Sequence, residues 1–357
     1  MKKRKLVALV LVLGILFGLV ACTSGAVDDS TSQEAADNTE AVKEIEVGVL
    51  VYKQDEAFAS AISSAINKWA EQLGAENDVK VTINMQNAAG DQSKQNEQAT
   101  VLLEKGVDVL AVNLVDETAG SIILDMAAEK NVPVLFYNKE PLDPTIINEG
   151  GAIYVGCKAE ESGVMQGNMI LNLWNAHPEY DKNGDGKIQY IMFQGDASNI
   201  DAIYRTEYSV STCEDAGVEM DLITGEIYVM DWDPTQTQQA MSAALANYGD
   251  AIEFVISNND GMAMGAIAAL NEMGFNTGVE GDPFIPVVGV DADESALEAI
   301  SAGKMSGTVK NDADGIGKAV VVLAMNGADG KEWLEGTEYA LAEDGYSIRI
   351  PYSPVTD

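Results

Sequence analysis

Oxygen-bearing side chains recur at alternate positions in the stretch DKNGDGKIQYIM, residues 181–192: Asp181, Asn183 and Asp185 stand first, third and fifth, and Gln189 stands ninth. Oxygens at that spacing, with Gly186 at the sixth position for a sharp turn, are what a hard cation such as calcium needs from a short loop. The twelfth position, where such a loop carries a bidentate glutamate, is Met192, so another segment must supply the missing carboxylate. A second set of chemistry-bearing residues lies in polar tails behind apolar runs: YKQDEAF, NLVDE, NKEP, QGDASNID, NNDGMA and VDADE. They offer planar amides, carboxylates and one guanidinium, with Phe58 and Trp232 as aromatic walls. That mixture suits a pyranose, whose ring face is apolar and whose hydroxyls both donate and accept. Asp201 and Arg205 stand four apart at the start of a helical pattern, which aims both at one region and favours the ionised acid.

Positioning these tails requires a repeating frame, and the chain from Ile45 onward supplies one. Strand-forming runs (IEVGVLVY, VKVTINMQ, VDVLAVNL, VPVLFYN, AIYVG, IQYIMFQG, IEFVISN, IPVVGVDA, MSGTV, SIRIPY) alternate with amphipathic helical stretches. In residues 57–73, Phe58, Ala61, Ile62, Ala65, Ile66, Trp69 and Leu73 share one helical face. Near-continuous apolar strands joined through helices predict parallel sheets covered on both sides, an α/β arrangement occurring twice. In such sheets a ligand crevice lies outside the carboxyl ends of the strands, where the tails converge. Asp and Asn in such tails also cap the following helices, and for any single tail the two readings stand level.

Composition narrows the function. MKKRK, an apolar segment over residues 6–19 and LVAC at 19–22 resemble a bacterial lipoprotein signal, with Cys22 as the lipid-bearing residue of the mature chain. The apolar segment is short for a membrane span, so the expected attachment is an anchor. Residues 23–44 have six acids against one lysine and no aromatic, and are expected to be a disordered tether reaching on the order of 25 Å. Without the four basic residues of the leader, 57 acidic groups face 17 basic ones, a net charge of −40 that argues against nucleic-acid binding. Cys157 and Cys213 are expected to be free. With a single histidine, His177, and no glycine-rich phosphate loop, histidine triads and nucleotide chemistry find no support. A two-acid glycosidase using Glu56, Asp201 and Asp291 is the competing enzyme reading, disfavoured because Arg205 opposes a protonated Asp201.

The motifs DQSKQN (91–96), NLVD (113–116), NKEP (138–141), NNDGMAMGA (258–266), GVDA (289–292) and GTVKND (307–312) are similar to those of the type I periplasmic binding proteins, in particular their galactose/glucose-binding branch. The resemblance spans nearly all of the chain beyond the tether. It implies two doubly wound parallel-sheet lobes joined by a three-segment hinge. By it, residues 45–133 and 312–348 form the first lobe, and 134–311 and 349–357 the second, with crossings near Pro133, Asn311 and Arg349. It implies that Phe58 and Trp232 sandwich a sugar ring, while Glu56, Asn113, Asn199, Asp201, Arg205, Asn259, Asp291 and Asn311 meet its hydroxyls. Glu56 stands where the branch has aspartate and Asn199 where it has histidine, which leaves open the preference between glucose and galactose. Glu253 is implied as the missing calcium ligand, and Lys187 as a contributor through its backbone carbonyl, the ion's role being structural. The function implied is a monomeric, membrane-anchored, extracytoplasmic protein, periplasmic or on the cell surface. It would capture a hexose for the membrane subunits of an ABC importer or, alternatively, present it to a chemoreceptor or sensor kinase.

Overall fold

A computed structural model describes residues 42–356. The leader with Cys22, and residues 23–41 of the expected tether, lie outside the described residues. In chain order the first part runs β1 (Lys43–Val51), α1 (Ala57–Glu76), β2 (Val79–Asn87), α2 (Gln92–Lys105), β3 (Val109–Val112), α3 (Gly120–Ala128), β4 (Val134–Tyr137), α4 (Thr145–Glu149) and β5 (Ile153–Gly156). The second continues with α5 (Ala159–Ala176), β6 (Lys187–Gln194), α6 (Ile200–Asp215), β7 (Glu219–Leu222), β8 (Tyr228–Val229) and α7 (Pro234–Tyr248). It ends with β9 (Phe254–Ser257), α8 (Asp260–Glu272), β10 (Val287–Asp291), α9 (Glu294–Ser301) and β11 (Gly307–Lys310), and is followed by α10 (Ala313–Ala328), β12 (Ser347–Arg349) and β13 (Ser353–Val355).

Two sheets result. The first has the order β12-β5-β4-β3-β1-β2 and is parallel throughout; the second has the order β13-β11-β10-β9-β6-β7, with β8 beside β6 and only β13 antiparallel. Strand alternation sends Val47, Val49 and Val51 to one face, packed with Ile62 and Ile66 of α1 and Val320 of α10. Leu50 faces the other way, against Leu102, Leu110 and Ile123. In the second sheet, Phe254 and Ile256 pack with Met169 and Ile170 of α5, while Val255 meets Met241 of α7 and Ile267 of α8 on the opposite face. Each such side chain contributes about 1.5–3 kcal/mol on burial, so both faces of each sheet hold helices firmly. This is the doubly wound architecture, present twice.

The expected crossing at Pro133 is corrected. Val134–Tyr137 is fully buried and pairs in register with β3, Leu110 opposite Val134 and Val112 opposite Phe136, and β5 pairs beside it. An apolar run of that kind finds its cheapest burial as the next strand of the sheet already begun, so residues 134–157 belong to the first lobe. The chain passes over at Cys157–Lys158, before α5. It returns after β11, at Asn311–Asp312, and goes back between β12 and β13 through residues 350–352. The start of the first lobe also moves. Lys43 and Glu44, assigned to the tether by their charge, pair with Val79 and Lys80 in the β1–β2 ladder. The three crossings are tied together: Ile350 N donates to Gly156 O (2.8 Å), an Arg349 Nη donates to Cys157 O (3.0 Å), and Cys157 Sγ donates to Asn311 Oδ1 (3.0 Å). Cys157 and Cys213 are both free and buried.

Candidate functional site

The carboxyl ends of strands from both sheets meet at one cleft, lined by Tyr52, Glu56, Phe58, Asn138 and Lys139 from the first lobe and by Asn199, Asp201, Arg205, Trp232, Asn259 and Asp291 from the second. The lining packs closely, leaving a cavity of about 30 Å³ in this arrangement. Eight of the ten residues expected to bind a sugar are in it. The other two stand directly behind. Asn113, buried, accepts at Oδ1 from Asn138 Nδ2 (3.5 Å), and its own Nδ2 has no partner. Asn311 donates to Asp291 Oδ1 (3.3 Å) while its Oδ1 takes the Cys157 thiol, so it braces Asp291 at the hinge.

Capping and lining prove compatible. Glu56 caps α1, its Oε1 accepting from Phe58 N (3.0 Å) and its Oε2 from Ala59 N (2.8 Å). Asn199 caps α6 through Oδ1 to Ala202 N (3.1 Å), and Asn259 caps α8 through Oδ1 to Met262 N (3.0 Å). For each asparagine the cap fixes the carbonyl end of the amide and leaves the NH₂ end for other work. Glu56 is held further by the Tyr52 hydroxyl, which donates to Oε2 (3.1 Å), so the longer acid folds back onto its own helix.

Arg205 is the central cation. One Nη donates to Asn258 O (3.0 Å), the other to Tyr352 Oη (3.2 Å), and the nearest carboxylate is Asp291 at 3.9 Å. Burial works against its charge, but Tyr352, Asp291 and Asp201 outweigh burial and hold the proton on. The expected pull of Arg205 on Asp201 is present, but burial outweighs it and raises the Asp201 pKa, and no Asp201–Arg205 pair within 4.0 Å forms among the described residues. Asp291 is likewise raised by burial, against Arg205. Trp232 lies flat on Gly195, where a Cβ would come within 2.3 Å of the indole; this close approach is why glycine ends β6. Backbone strain gathers here. Asn138 (φ +63°), Asp231 (+48°), Trp232 (+64°), Asp291 (+118°) and Ala292 (+58°) adopt left-handed values at the cleft, each costing on the order of 1–3 kcal/mol.

Sequence reasoning passed over Tyr52, Asn138 and Lys139. All three had a signal, since they sit in or beside the tails YKQDEAF and NKEP. Lys139 is buried with its Nζ 4.5 Å from the Tyr52 ring centroid, a cation–π contact.

The oxygen-rich loop lies apart from this cleft, before β6. Asp181 Oδ1 accepts from Gly184 N (2.7 Å) and Asp185 N (3.1 Å), and its Oδ2 from Gly186 N (3.1 Å), with Gly184 and Gly186 at φ +76° and +74°. The distant carboxylate is Glu253. It immediately precedes β9, which pairs with β6, so sheet register delivers it to the loop: Glu253 N donates to Gln189 O (2.9 Å), while Oε1 accepts from Lys182 N (2.7 Å) and Oε2 from Gln189 N (3.1 Å). Burial raises the Glu253 pKa, and Asp181 and Asp185 add to the rise. Asn183 and Gln189 both donate to Asp185 Oδ2, and Gln189 Oε1 is buried with no partner. The Lys187 ammonium turns away to Glu219. Among the described residues no three acid, imidazole or thiol groups converge into a ready-made cage. The donor set is instead mixed, mutually repelling carboxylates with an orphaned amide oxygen, and it fits an oxygen-seeking divalent ion that takes carbonyl and amide ligands as well.

Residues 47–332 match the periplasmic binding protein domain. The chain is 38% identical over 329 residues to the D-galactose/methyl-galactoside binding periplasmic protein MglB of Haemophilus influenzae, covering 92% of each chain. It is 27% identical over 332 residues to the ribose import binding protein RbsB of Bacillus subtilis, covering 92% of this chain and 95% of that one. Among solved structures, an ABC transporter solute-binding protein from Bacillus halodurans with bound myo-inositol superposes with a TM-score of 0.69 at 27% identity, covering 89% of this chain and 96% of the other.

Proposed function

This chain belongs to the periplasmic binding proteins, a family of solute-binding proteins rather than enzymes, and on that premise we propose that its cleft captures one uncharged hexose, of the glucose and galactose class, outside the cytoplasm for an ATP-driven importer. The observation that carries this reading is the lining: Phe58 from the first lobe and Trp232 from the second flank a cleft holding Arg205, Asp201, Asp291 and Asn259. Two aromatic faces suit the two apolar faces of a pyranose, and the buried amides and acids suit its hydroxyls. Contacts from both lobes to one sugar give the differential affinity that favours closure. The strained backbone at Asn138, Trp232 and Asp291 fits a clamp set in advance of its ligand.

Calcium is proposed for the loop, held by Asp181, Asn183, Asp185, Gln189 and Glu253 with the Lys187 carbonyl. When bound, it would neutralise three carboxylates and pin the loop to β9. Cys22 is proposed to carry the lipid anchor, and the protein to act as a monomer. Calorimetric titration of the unlipidated protein with glucose, galactose, ribose and xylose tests the sugar reading. Hexose binding supports it, and tight pentose binding without hexose binding overturns it. Turnover of nitrophenyl hexosides above background would overturn the non-enzymatic reading.

A further inference from the structure

Glu117 lies outside every role assigned so far, yet it makes a direct contact between the lobes at the cleft. It opens the short 3-10 turn Glu117–Ala119 behind β3, and its backbone is pinned where Leu142 N donates to Glu117 O (3.0 Å). Its side chain reaches across to the second lobe, where Asn199 Nδ2 donates to Glu117 Oε1. Both partners are buried, Glu117 7% and Asn199 2% exposed, and Glu117 Oε2 has no hydrogen-bond partner. Asn199 is thus engaged at both ends: its Oδ1 caps α6 at Ala202 N, and its NH₂ meets the first lobe. A carboxylate placed at the N-terminal end of a 16-residue helix also faces the positive end of the helix dipole.

We propose that Glu117 is a positioning residue for the sugar site, a strut from the first lobe that fixes Asn199 and the start of α6 in the closed arrangement of the cleft. The proposal rests on the sugar-binding reading above, because it assigns Asn199 to the cleft lining, but the contact itself joins the lobes whatever the cleft holds.

The groups around Glu117 give the strut a measurable signature. Lys139, behind β4, faces it with a favourable charge; Asp201 on α6 opposes it; Asp116 on its own turn and Asp196 before α6 line the same crevice. Burial outweighs Lys139 and pushes Glu117 up to about 7. With the lobes apart, this carboxyl is in water and titrates in its ordinary range, so closing takes up a proton at intermediate pH. Closure is then easiest at low pH, and the advantage is lost as pH rises through about 7. One pKa unit is a tenfold effect, so hexose affinity should rise about tenfold between pH 8 and pH 6 through this group.

Calorimetric titration with glucose and galactose from pH 5.5 to 8.5, on the wild type, Glu117→Gln and Glu117→Ala, tests the proposal. Asp201 and Asp291, both raised by burial, are unchanged in all three proteins, so the difference between profiles isolates Glu117. Glu117→Gln keeps an oxygen for Asn199 without the charge; it should bind more tightly than wild type, by a margin about tenfold larger at pH 8 than at pH 6. Glu117→Ala should be weaker than wild type at pH 6, and its effect should not add to that of Asn199→Ala. Parallel profiles for wild type and Glu117→Gln, or additive effects of Glu117→Ala and Asn199→Ala, overturn the strut. If no hexose binds the wild type at any pH, the sugar reading fails, and the strut is decided by small-angle scattering of the sugar-free protein. An expanded Glu117→Ala relative to wild type at pH 6 supports it, and identical radii overturn it.

Discussion

Replacing Glu253 with glutamine separates a calcium ligand from an ordinary buried acid. If calcium binds only the folded chain, a concentration one hundred times its dissociation constant adds about 2.7 kcal/mol of stability. For a chain of this size that amounts to roughly 4 °C in the unfolding midpoint. Glutamine keeps one oxygen but no charge. A hundredfold loss of affinity, the upper end of what even an outer-shell change causes, would reduce the increment at the same concentration to about 0.4 kcal/mol. In chelator two effects oppose each other. Glutamine loses one of the acceptors that meet Lys182 N and Gln189 N, a cost of about 1–3 kcal/mol, but it relieves the burial of a carboxylate beside Asp181 and Asp185. The expected result is a midpoint several degrees lower than wild type in calcium and nearly unchanged in chelator, measured by differential scanning calorimetry. Equal losses in both conditions would remove Glu253 from the ligand set. A wild type indifferent to calcium would refute the site altogether.

Phe58→Ala and Trp232→Ala should each weaken hexose binding by about tenfold to a hundredfold, the worth of roughly 60–100 Å² of apolar contact at about 25 cal/mol per Å²; unchanged calorimetric affinities would contradict the ring sandwich. Gly195→Ala should mimic Trp232→Ala, because its methyl would occupy the space of the indole at 2.3 Å, while a thermal melt changes little; undiminished affinity would show that the ring's seat on Gly195 does not matter. Asp260 is fully buried, accepts from Thr308 Oγ1 (2.7 Å) and Asp293 N (3.0 Å), and burial pushes it up to about 8. Its folded-state value lies above its ordinary one, so its contribution is full at acid pH and is lost as pH climbs through about 8, by up to about 1.4 kcal/mol per unit. Asp260→Asn should therefore gain stability relative to wild type between pH 6 and pH 8 and run parallel above pH 9; parallel melting curves throughout would refute this.

Much of this arrangement was legible because strand ends and helix starts coincide in α/β sheets. Polar tails after apolar runs marked the cleft, and the level contest between capping and binding dissolved because one amide serves both: Asn199 and Asn259 cap with the carbonyl and keep the NH₂. The loop at Asp181 was legible from spacing, whereas Glu253 needed the family resemblance, since only the β6–β9 register brings it near. Pro133 misled as a boundary because an apolar strand such as Val134–Tyr137 carries no mark of which sheet it will join. Helical spacing correctly aimed Arg205 at Asp201 but could not report burial, and burial sets the net direction of the Asp201 shift. Glu117 ended a tail already singled out, NLVDE, yet its partner Asn199 lies 82 residues away on the other lobe, and no local pattern announces such a contact.

The central claim is that the two lobes close on a single hexose held between Phe58 and Trp232. A crystal structure grown with glucose or galactose tests it most directly. The expected density is one pyranose ring stacked between those two side chains, with Arg205, Asp201, Asp291 and Asn259 at its hydroxyls. Sugar bound elsewhere, with the Phe58–Trp232 cleft open and without ligand, would contradict it.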